Sequence, residues 1–128
     1  MPQSLGRVLV VEDEPDILTL VVKHLRSNGF IADDFTDPVT ALAHFKNNSM
    51  NYSVVLTDIR MPDMNGFELA REIQKIRPDI KIVLMTAFEI THEDLQTILP
   101  IIKYDEIIRK PFKLVEICTT VRKQINAD

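Results

Sequence analysis

The sequence predicts an α/β fold: a doubly wound (βα)5 chain whose five parallel strands form one sheet with helices on both faces. Short β-branched apolar runs alternate with longer segments in which apolar residues recur at helical spacing. Parallel strands joined by helices place those helices on both faces through right-handed crossovers. Because 128 residues suit one domain with its own core, we expect a single domain over residues 1–128, with an ordered core at about 6–126.

The first half of the chain contains two strand–helix units. Residues 8–11 are an unbroken apolar run, typical of a strand buried on both faces. Pro15 suits the first turn of the helix that follows, and Gly29 ends that helix. The second unit is a strand over residues 31–35 and a helix that begins at Asp37 and Pro38.

The second half continues the same alternation with weaker signals. Residues 52–57 and 82–85 predict the third and fourth strands, and the helix between them stops before Pro78. Pro100 interrupts the next apolar stripe, so we expect the helix there to be short or bent. Ile107 and Ile108 predict a short fifth strand. The final helix has the apolar residues Leu114, Ile117, Cys118, Val121 and Ile125.

Composition and charge exclude several classes of protein. The chain is 45% hydrophobic and 27% charged, which is typical of a globular domain, and a net charge of −4 with scattered Lys and Arg argues against nucleic-acid binding. No apolar run approaches the roughly 20 residues that span a bilayer, so we expect no membrane association and a cytoplasmic location. Cys118 is the single cysteine, and we interpret it as a small core residue.

Polar residues follow the predicted strands where each strand ends: Glu12, Asp13, Asp58, Thr86 and Lys110. Ligands of parallel sheets bind beyond the carboxyl ends of the strands, so these side chains should converge. Clustered carboxylates repel one another, and a hard divalent cation such as Mg²⁺ or Mn²⁺ would offset that repulsion. An aspartate beside a metal, a lysine and a hydroxyl can act as a nucleophile toward phosphorus and form an aspartyl phosphate.

Four motifs stand at these strand ends: VEDE at residues 11–14, DIRMPDMNG at 58–66, MTA at 85–87 and KPF at 110–112. In this order, over essentially the whole chain, they resemble the CheY-like receiver domains of two-component response regulators. The resemblance implies a flavodoxin-like strand order of 2-1-3-4-5. It also implies a signalling switch rather than an enzyme, because such a domain catalyses only its own phosphoryl transfer and autodephosphorylation.

The resemblance assigns the phosphoacceptor and the metal ligands. It makes Asp58 the residue that is phosphorylated. Asp13, Asp58 and the backbone carbonyl of Arg60 would hold Mg²⁺, with Glu12 in support through a water molecule. Arg60 also stands where the family tunes the lifetime of the phosphoryl group, as does Phe88, and we expect bulky Phe88 to lengthen that lifetime by limiting water access.

The resemblance further assigns residues that would contact the phosphoryl group. The hydroxyl of Thr86 and the backbone N–H of Ala87 would bind it, and Lys110 would pair with one of its oxygens. A cis peptide is implied between Lys110 and Pro111, an isomer found in only about 5–6% of X-Pro bonds.

One position departs from the family pattern. Receivers usually carry an aromatic residue three positions before the lysine, where it moves inward on activation. Ile107 stands at this switch position, and nearby Tyr104 is the candidate substitute.

Three functions remain open from the sequence. The first is a switch that a sensor histidine kinase or a phosphotransfer protein phosphorylates, changing affinity for an unknown downstream protein. The second is a Mg²⁺-dependent phosphatase or phosphotransferase that uses Asp58 against an external substrate, although Arg60 stands where the haloacid-dehalogenase-like pattern has a second aspartate. The third is a degenerate receiver that acts through contacts alone.

The resemblance also suggests a homodimer through the fourth and fifth units, and the chain is either a stand-alone receiver or part of a longer protein.

Overall fold

One open sheet of parallel strands organises the chain. The computed structural model describes residues 5–87, 91, 93, 96–97 and 103–126. Within these residues five parallel strands are ordered β2-β1-β3-β4-β5, which confirms the predicted strand order. The strands are β1 (Arg7–Val11), β2 (Ile31–Phe35), β3 (Val54–Asp58), β4 (Lys81–Thr86) and β5 (Glu106–Arg109).

The described residues also form four helices, which we number in chain order. They are α1 (Pro15–Ser27), α2 (Pro38–Asn48), α3 (Gly66–Ile76) and α4 (Leu114–Asn126). The bent helix expected around Pro100 falls largely on residues outside those that the structure describes. In the part of the chain that is described, no helix has the length and apolar character needed to cross a membrane.

The helices cover both faces of the sheet, as the sequence predicts. Buried residues of α1 and α4 pack on the side chains of Val8 and Val10, while α2 and α3 pack on those of Leu9 and Val11. Alternate residues of a strand point to opposite faces, so a central strand buried on both sides is apolar throughout. Cys118 is buried in the first of these clusters, which confirms its interpretation as a core residue.

Local sequence signals set the helix ends. α1 begins at Pro15, and Gly29, with a φ of 95°, follows its end. At the start of α3 the Asn65 side chain accepts a hydrogen bond from the Glu68 N–H, and the Glu68 carboxylate accepts one from the Asn65 N–H. This reciprocal pair is a capping box, and it begins α3 directly after the loop that follows β3.

The third strand begins two residues later than the sequence predicts. Tyr52 is buried and was expected to start the strand, but it follows a 3₁₀ turn at Ser49–Asn51, and β3 begins at Val54. The physical reason is that Tyr52 is fixed by its side chain, since its hydroxyl donates a hydrogen bond of 2.5 Å to Asp33. An aromatic residue can therefore be buried without belonging to a strand.

Candidate functional site

The strand register brings the predicted polar residues to one edge of the sheet. Val11 lies opposite Thr57, so Glu12 follows β1 at the level where Asp58 ends β3. Asp58 lies opposite Met85, the residue before Thr86 in β4. Beyond β5, the Lys110 N–H donates a hydrogen bond of 2.7 Å to the carbonyl of Thr86. These positions lie together at the carboxyl ends of the strands, where sites of parallel sheets form.

Three carboxylates form the centre of the site. Glu12, Asp13 and Asp58 each place one carboxylate oxygen within 4.8 Å of the others. Glu12 is 0% exposed and Asp58 5% exposed, whereas Asp13 is only half-buried. Since charged carboxylates at this separation repel and lose solvation, the cluster favours a bound cation.

Lys110 places a positive charge beside two of these carboxylates. Its Nζ lies 2.5 Å from Glu12 Oε1 and 3.3 Å from Asp58 Oδ2. Burial raises the pKa of Glu12 above its ordinary value, and the hydrogen bond from Lys110 only partly opposes that shift. Burial alone would lower the pKa of Lys110, but the hydrogen bond to Glu12 and the charge of Asp58 outweigh it and raise the pKa. One ammonium therefore faces two acidic groups.

The Asp58 carboxylate is held from two directions. Its Oδ1 accepts a hydrogen bond of 2.8 Å from the Ile59 N–H, while Oδ2 faces the Lys110 ammonium. The Thr57 hydroxyl donates to the Asp58 carbonyl at 2.9 Å, so the backbone of this residue is also bonded. The two carboxylate oxygens are thus in different surroundings, one facing the backbone and one facing a cation.

The donor set suits a hard divalent cation. Mg²⁺ prefers oxygen ligands and is usually held by one or two carboxylates together with waters and a phosphate. The three carboxylates of Glu12, Asp13 and Asp58 provide such oxygens within one small region. Arg60, whose carbonyl is a further ligand that the resemblance implies, is an exposed residue two positions after Asp58.

The residues predicted to contact a phosphoryl group lie near the carboxylates. Thr86 is 1% exposed at the end of β4. Ala87 is exposed and lines a groove of about 530 Å³ together with Lys110, Pro111 and Phe112. The peptide bond between Lys110 and Pro111 is cis, the isomer that the resemblance implies.

The two candidate switch residues share one environment. Ile107 and Tyr104 are both half-buried, and both pack against the core cluster beneath α2 and α3. Phe88, the predicted lifetime residue, lies outside the residues that the structure describes.

Two residues near Asp58 were not singled out from the sequence. The Ile59 N–H holds Asp58 Oδ1, and the Gly66 N–H in turn donates a hydrogen bond of 2.7 Å to the Ile59 carbonyl. A glycine at the first position of a helix was the available signal for Gly66, since glycine there often marks a close backbone approach. No sequence signal marks Ile59, because its backbone rather than its side chain makes the contact.

Comparisons with known proteins agree with this arrangement. Residues 8–122 match the family model described as the response regulator receiver domain. Response regulator receiver protein CpdR of Brucella abortus (strain 2308) is 31% identical over 121 residues, which cover 94% of this chain and 98% of that protein. Several other curated relatives are longer, and the chain spans 45–49% of their length.

Solved structures give the same result for the fold. A CheY-like receiver domain protein from Methanospirillum hungatei superposes with a TM-score of 0.86 at 27% identity, over 96% of this chain and 95% of that one. Response regulator protein TrrA of Thermotoga maritima, solved in complex with Mg²⁺ and BeF, has a TM-score of 0.78 at 37% identity, with 93% and 98% of the two chains covered.

Proposed function

The chain belongs to the family of response regulator receiver domains of two-component systems, and from this premise we propose that it is a switch phosphorylated on Asp58. Receiver domains are signalling switches rather than enzymes acting on other substrates, and they interact with sensor kinases and downstream proteins. The phosphoryl group would come from a sensor histidine kinase, a phosphotransfer protein or a small phosphodonor. The observation that carries the proposal is the buried Asp58 carboxylate between two further acids and the Lys110 ammonium.

The proposed reaction is a single phosphoryl transfer. An oxygen of the Asp58 carboxylate attacks the phosphorus of a phosphohistidine, and the new O–P bond forms as the P–N bond breaks. The electron pair of the broken bond remains on the imidazole nitrogen. The Lys110 ammonium, 3.3 Å from Asp58 Oδ2, is placed to neutralise charge on the phosphoryl oxygens.

Mg²⁺ held by Asp13 and Asp58, with Glu12 and the Arg60 carbonyl, would supply further positive charge to the phosphoryl oxygens when bound. The hydroxyl of Thr86 and the N–H of Ala87 would donate hydrogen bonds to them. Hydrolysis of the aspartyl phosphate would then end the signal.

The readout of the switch is proposed at two positions. Movement of Thr86 toward the phosphoryl group would be accompanied by movement of Ile107 or Tyr104. Both of these residues pack against the core cluster beneath α2 and α3. A change in this part of the surface would alter affinity for the downstream protein or for a second copy of the chain. The residues Arg60 and Phe88 would set how long the phosphoryl group persists.

Intact-mass spectrometry after incubation with Mg²⁺ and acetyl phosphate tests the phosphoacceptor. We expect one Mg²⁺-dependent phosphoryl adduct in the wild type and none in Asp58→Asn. Asp63→Asn is a matched control, because Asp63 lies on the same loop with a φ of 69°, a conformation that Asn tolerates. This control should retain the adduct.

Either of two results would contradict the proposal. An adduct that persists in Asp58→Asn would place the acceptor on another residue. A wild type that forms no adduct in the presence of Mg²⁺ would favour the degenerate receiver that acts through contacts alone.

A further inference from the structure

The backbone of Gly66 touches the backbone of the proposed phosphoacceptor. Gly66 is the buried first residue of α3. A Cβ atom added to Gly66 would lie 2.2 Å from the Asp58 carbonyl oxygen and 2.9 Å from the Ile59 Cα. Both of these neighbours are backbone atoms, so no flexible side chain could move aside. Lack of space, rather than a left-handed backbone, therefore excludes a side chain at this position.

A hydrogen bond joins the same two segments. The first amides of a helix have no acceptor within their own helix. The N–H of Glu68 is bonded to the Asn65 side chain, whereas the N–H of Gly66 donates to the Ile59 carbonyl at 2.7 Å. The first residue of α3 is thus bonded to the residue that directly follows β3.

Ile59 connects Gly66 to the Asp58 carboxylate through hydrogen bonds. Its N–H is shared between Asp58 Oδ1 at 2.8 Å and the Met85 carbonyl at 3.0 Å. Its carbonyl accepts the hydrogen bond from Gly66, and its side chain is 2% exposed. The orientation of this one residue determines where Asp58 Oδ1 is held.

We propose that Gly66 is a positioning residue for phosphoryl transfer to Asp58. Having no side chain, it lets α3 begin against the end of β3, and that contact fixes the Ile59 N–H beneath Oδ1 and directs Oδ2 toward Lys110. The inference rests on the proposed function of Asp58. A reacting group displaced by about 1 Å can lose roughly 100-fold in rate, so a small shift of this backbone is sufficient to matter.

Gly66→Ala tests the proposal against Asn65→Ala as a matched control. Asn65→Ala removes the cap of the same helix at the neighbouring position but adds no atom against Asp58. The phosphorylation rate with acetyl phosphate and saturating Mg²⁺ is measured at a temperature at which all three proteins are folded. We expect a loss of roughly 10- to 100-fold in Gly66→Ala and less than about twofold in Asn65→Ala.

Equal losses of phosphorylation rate in the two variants would show that only the stability of α3 matters, and would overturn the inference. A wild-type phosphorylation rate in Gly66→Ala would also overturn it. The wild-type adduct is the reference: if the wild type itself is not phosphorylated, the proposed function fails rather than the role of Gly66. In Gly66→Ala the Ile59 amide resonance should also shift, and in Asn65→Ala it should stay close to the wild-type position.

Amide hydrogen exchange of the wild type tests the same contact without any variant, and so does not depend on whether Gly66→Ala folds. The Gly66 amide should be protected as strongly as amides in the middle of α3, because it is bonded to Ile59. Exchange at the fast rate usual for the first amide of a helix would contradict the proposal.

Discussion

Asp33 accepts hydrogen bonds from two side chains at the edge of the sheet. Arg7 Nε donates to its Oδ2 at 2.7 Å, and the Tyr52 hydroxyl donates to the same oxygen at 2.5 Å. Because the Tyr52 hydroxyl donates its proton to Asp33, its oxygen accepts from His44 Nε2 at 2.9 Å. Burial alone would raise the pKa of Asp33, but the hydrogen bonds from Arg7 and Tyr52 outweigh it and lower the pKa.

This lowered pKa predicts a pH-dependent effect of Asp33→Asn. The stabilisation is present above the unfolded pKa of about 3.9 and is lost as pH falls through the lower folded pKa. We expect Asp33→Asn to reduce the free energy of unfolding by about 2 kcal/mol at pH 7, and by progressively less toward pH 2. Urea unfolding across this range measures the difference.

Asp34→Asn is the control for this experiment. Its carboxylate is 58% exposed and lies 3.8 Å from Arg26, so its replacement should change stability by less than about 1 kcal/mol. A deficit of Asp33→Asn that stays constant from pH 7 to pH 2 would show that the charge of Asp33 contributes nothing.

Two helices begin with a side chain that accepts hydrogen bonds from backbone N–H groups. At the start of α2 this side chain is Asp37, and at the start of α3 it is Asn65. The sequence predicts the first from Asp37 and Pro38. The capping box of α3 was not predicted, although Asn65 followed three residues later by Glu68 is its usual sequence signature.

Asn65→Ala should reduce the free energy of unfolding by about 1 kcal/mol, because the Glu68 N–H loses its acceptor at the start of α3. Chemical denaturation gives this value. Asn65→Asp retains a side-chain oxygen and should stay close to the wild type. If Asn65→Ala also unfolds at the wild-type midpoint, the capping box does not stabilise α3.

The sequence predicts the elements better than it predicts their contacts. Periodicity and strand register bring Glu12, Asp58 and Lys110 to one edge, because parallel strands end on the same side of a sheet. Periodicity contains no information on how a loop turns, so the glycine at the start of α3 was the one signal for the approach of Gly66 to Asp58. Tyr52 was assigned to β3 because its aromatic ring adjoins an apolar run, but its hydroxyl is bonded to Asp33 and the strand begins at Val54.

At the scale of the whole molecule, a cation held by the acidic cluster would link binding to folding. Its carboxylates follow or end two central strands, so they come together only when the sheet forms. A ligand that binds the folded chain alone stabilises it according to its concentration relative to Kd.

Mg²⁺ should therefore stabilise the protein. At a Mg²⁺ concentration of 100 times Kd we expect the free energy of unfolding to rise by about 2.7 kcal/mol. Thermal unfolding at constant ionic strength measures the shift. Asp13→Asn should lose most of it, whereas Asp16→Asn, which removes an equal charge from an exposed position in the first turn of α1, should keep it. A shift of the same size in both variants would argue against a site at the acidic cluster.

The ion pair between Glu12 and Lys110 joins residues 98 positions apart, and Asp58 lies between them in sequence. Lys110 follows β5, the strand at one edge of the sheet, so the ammonium arrives after β1 and β3 have been synthesised. A ribosome-bound chain that ends before β5 already contains the acids but has no lysine to face them. The cluster of acids and ammonium is therefore complete only after the last strand has been synthesised, and a truncated copy would carry the acidic residues without the positive charge that faces two of them.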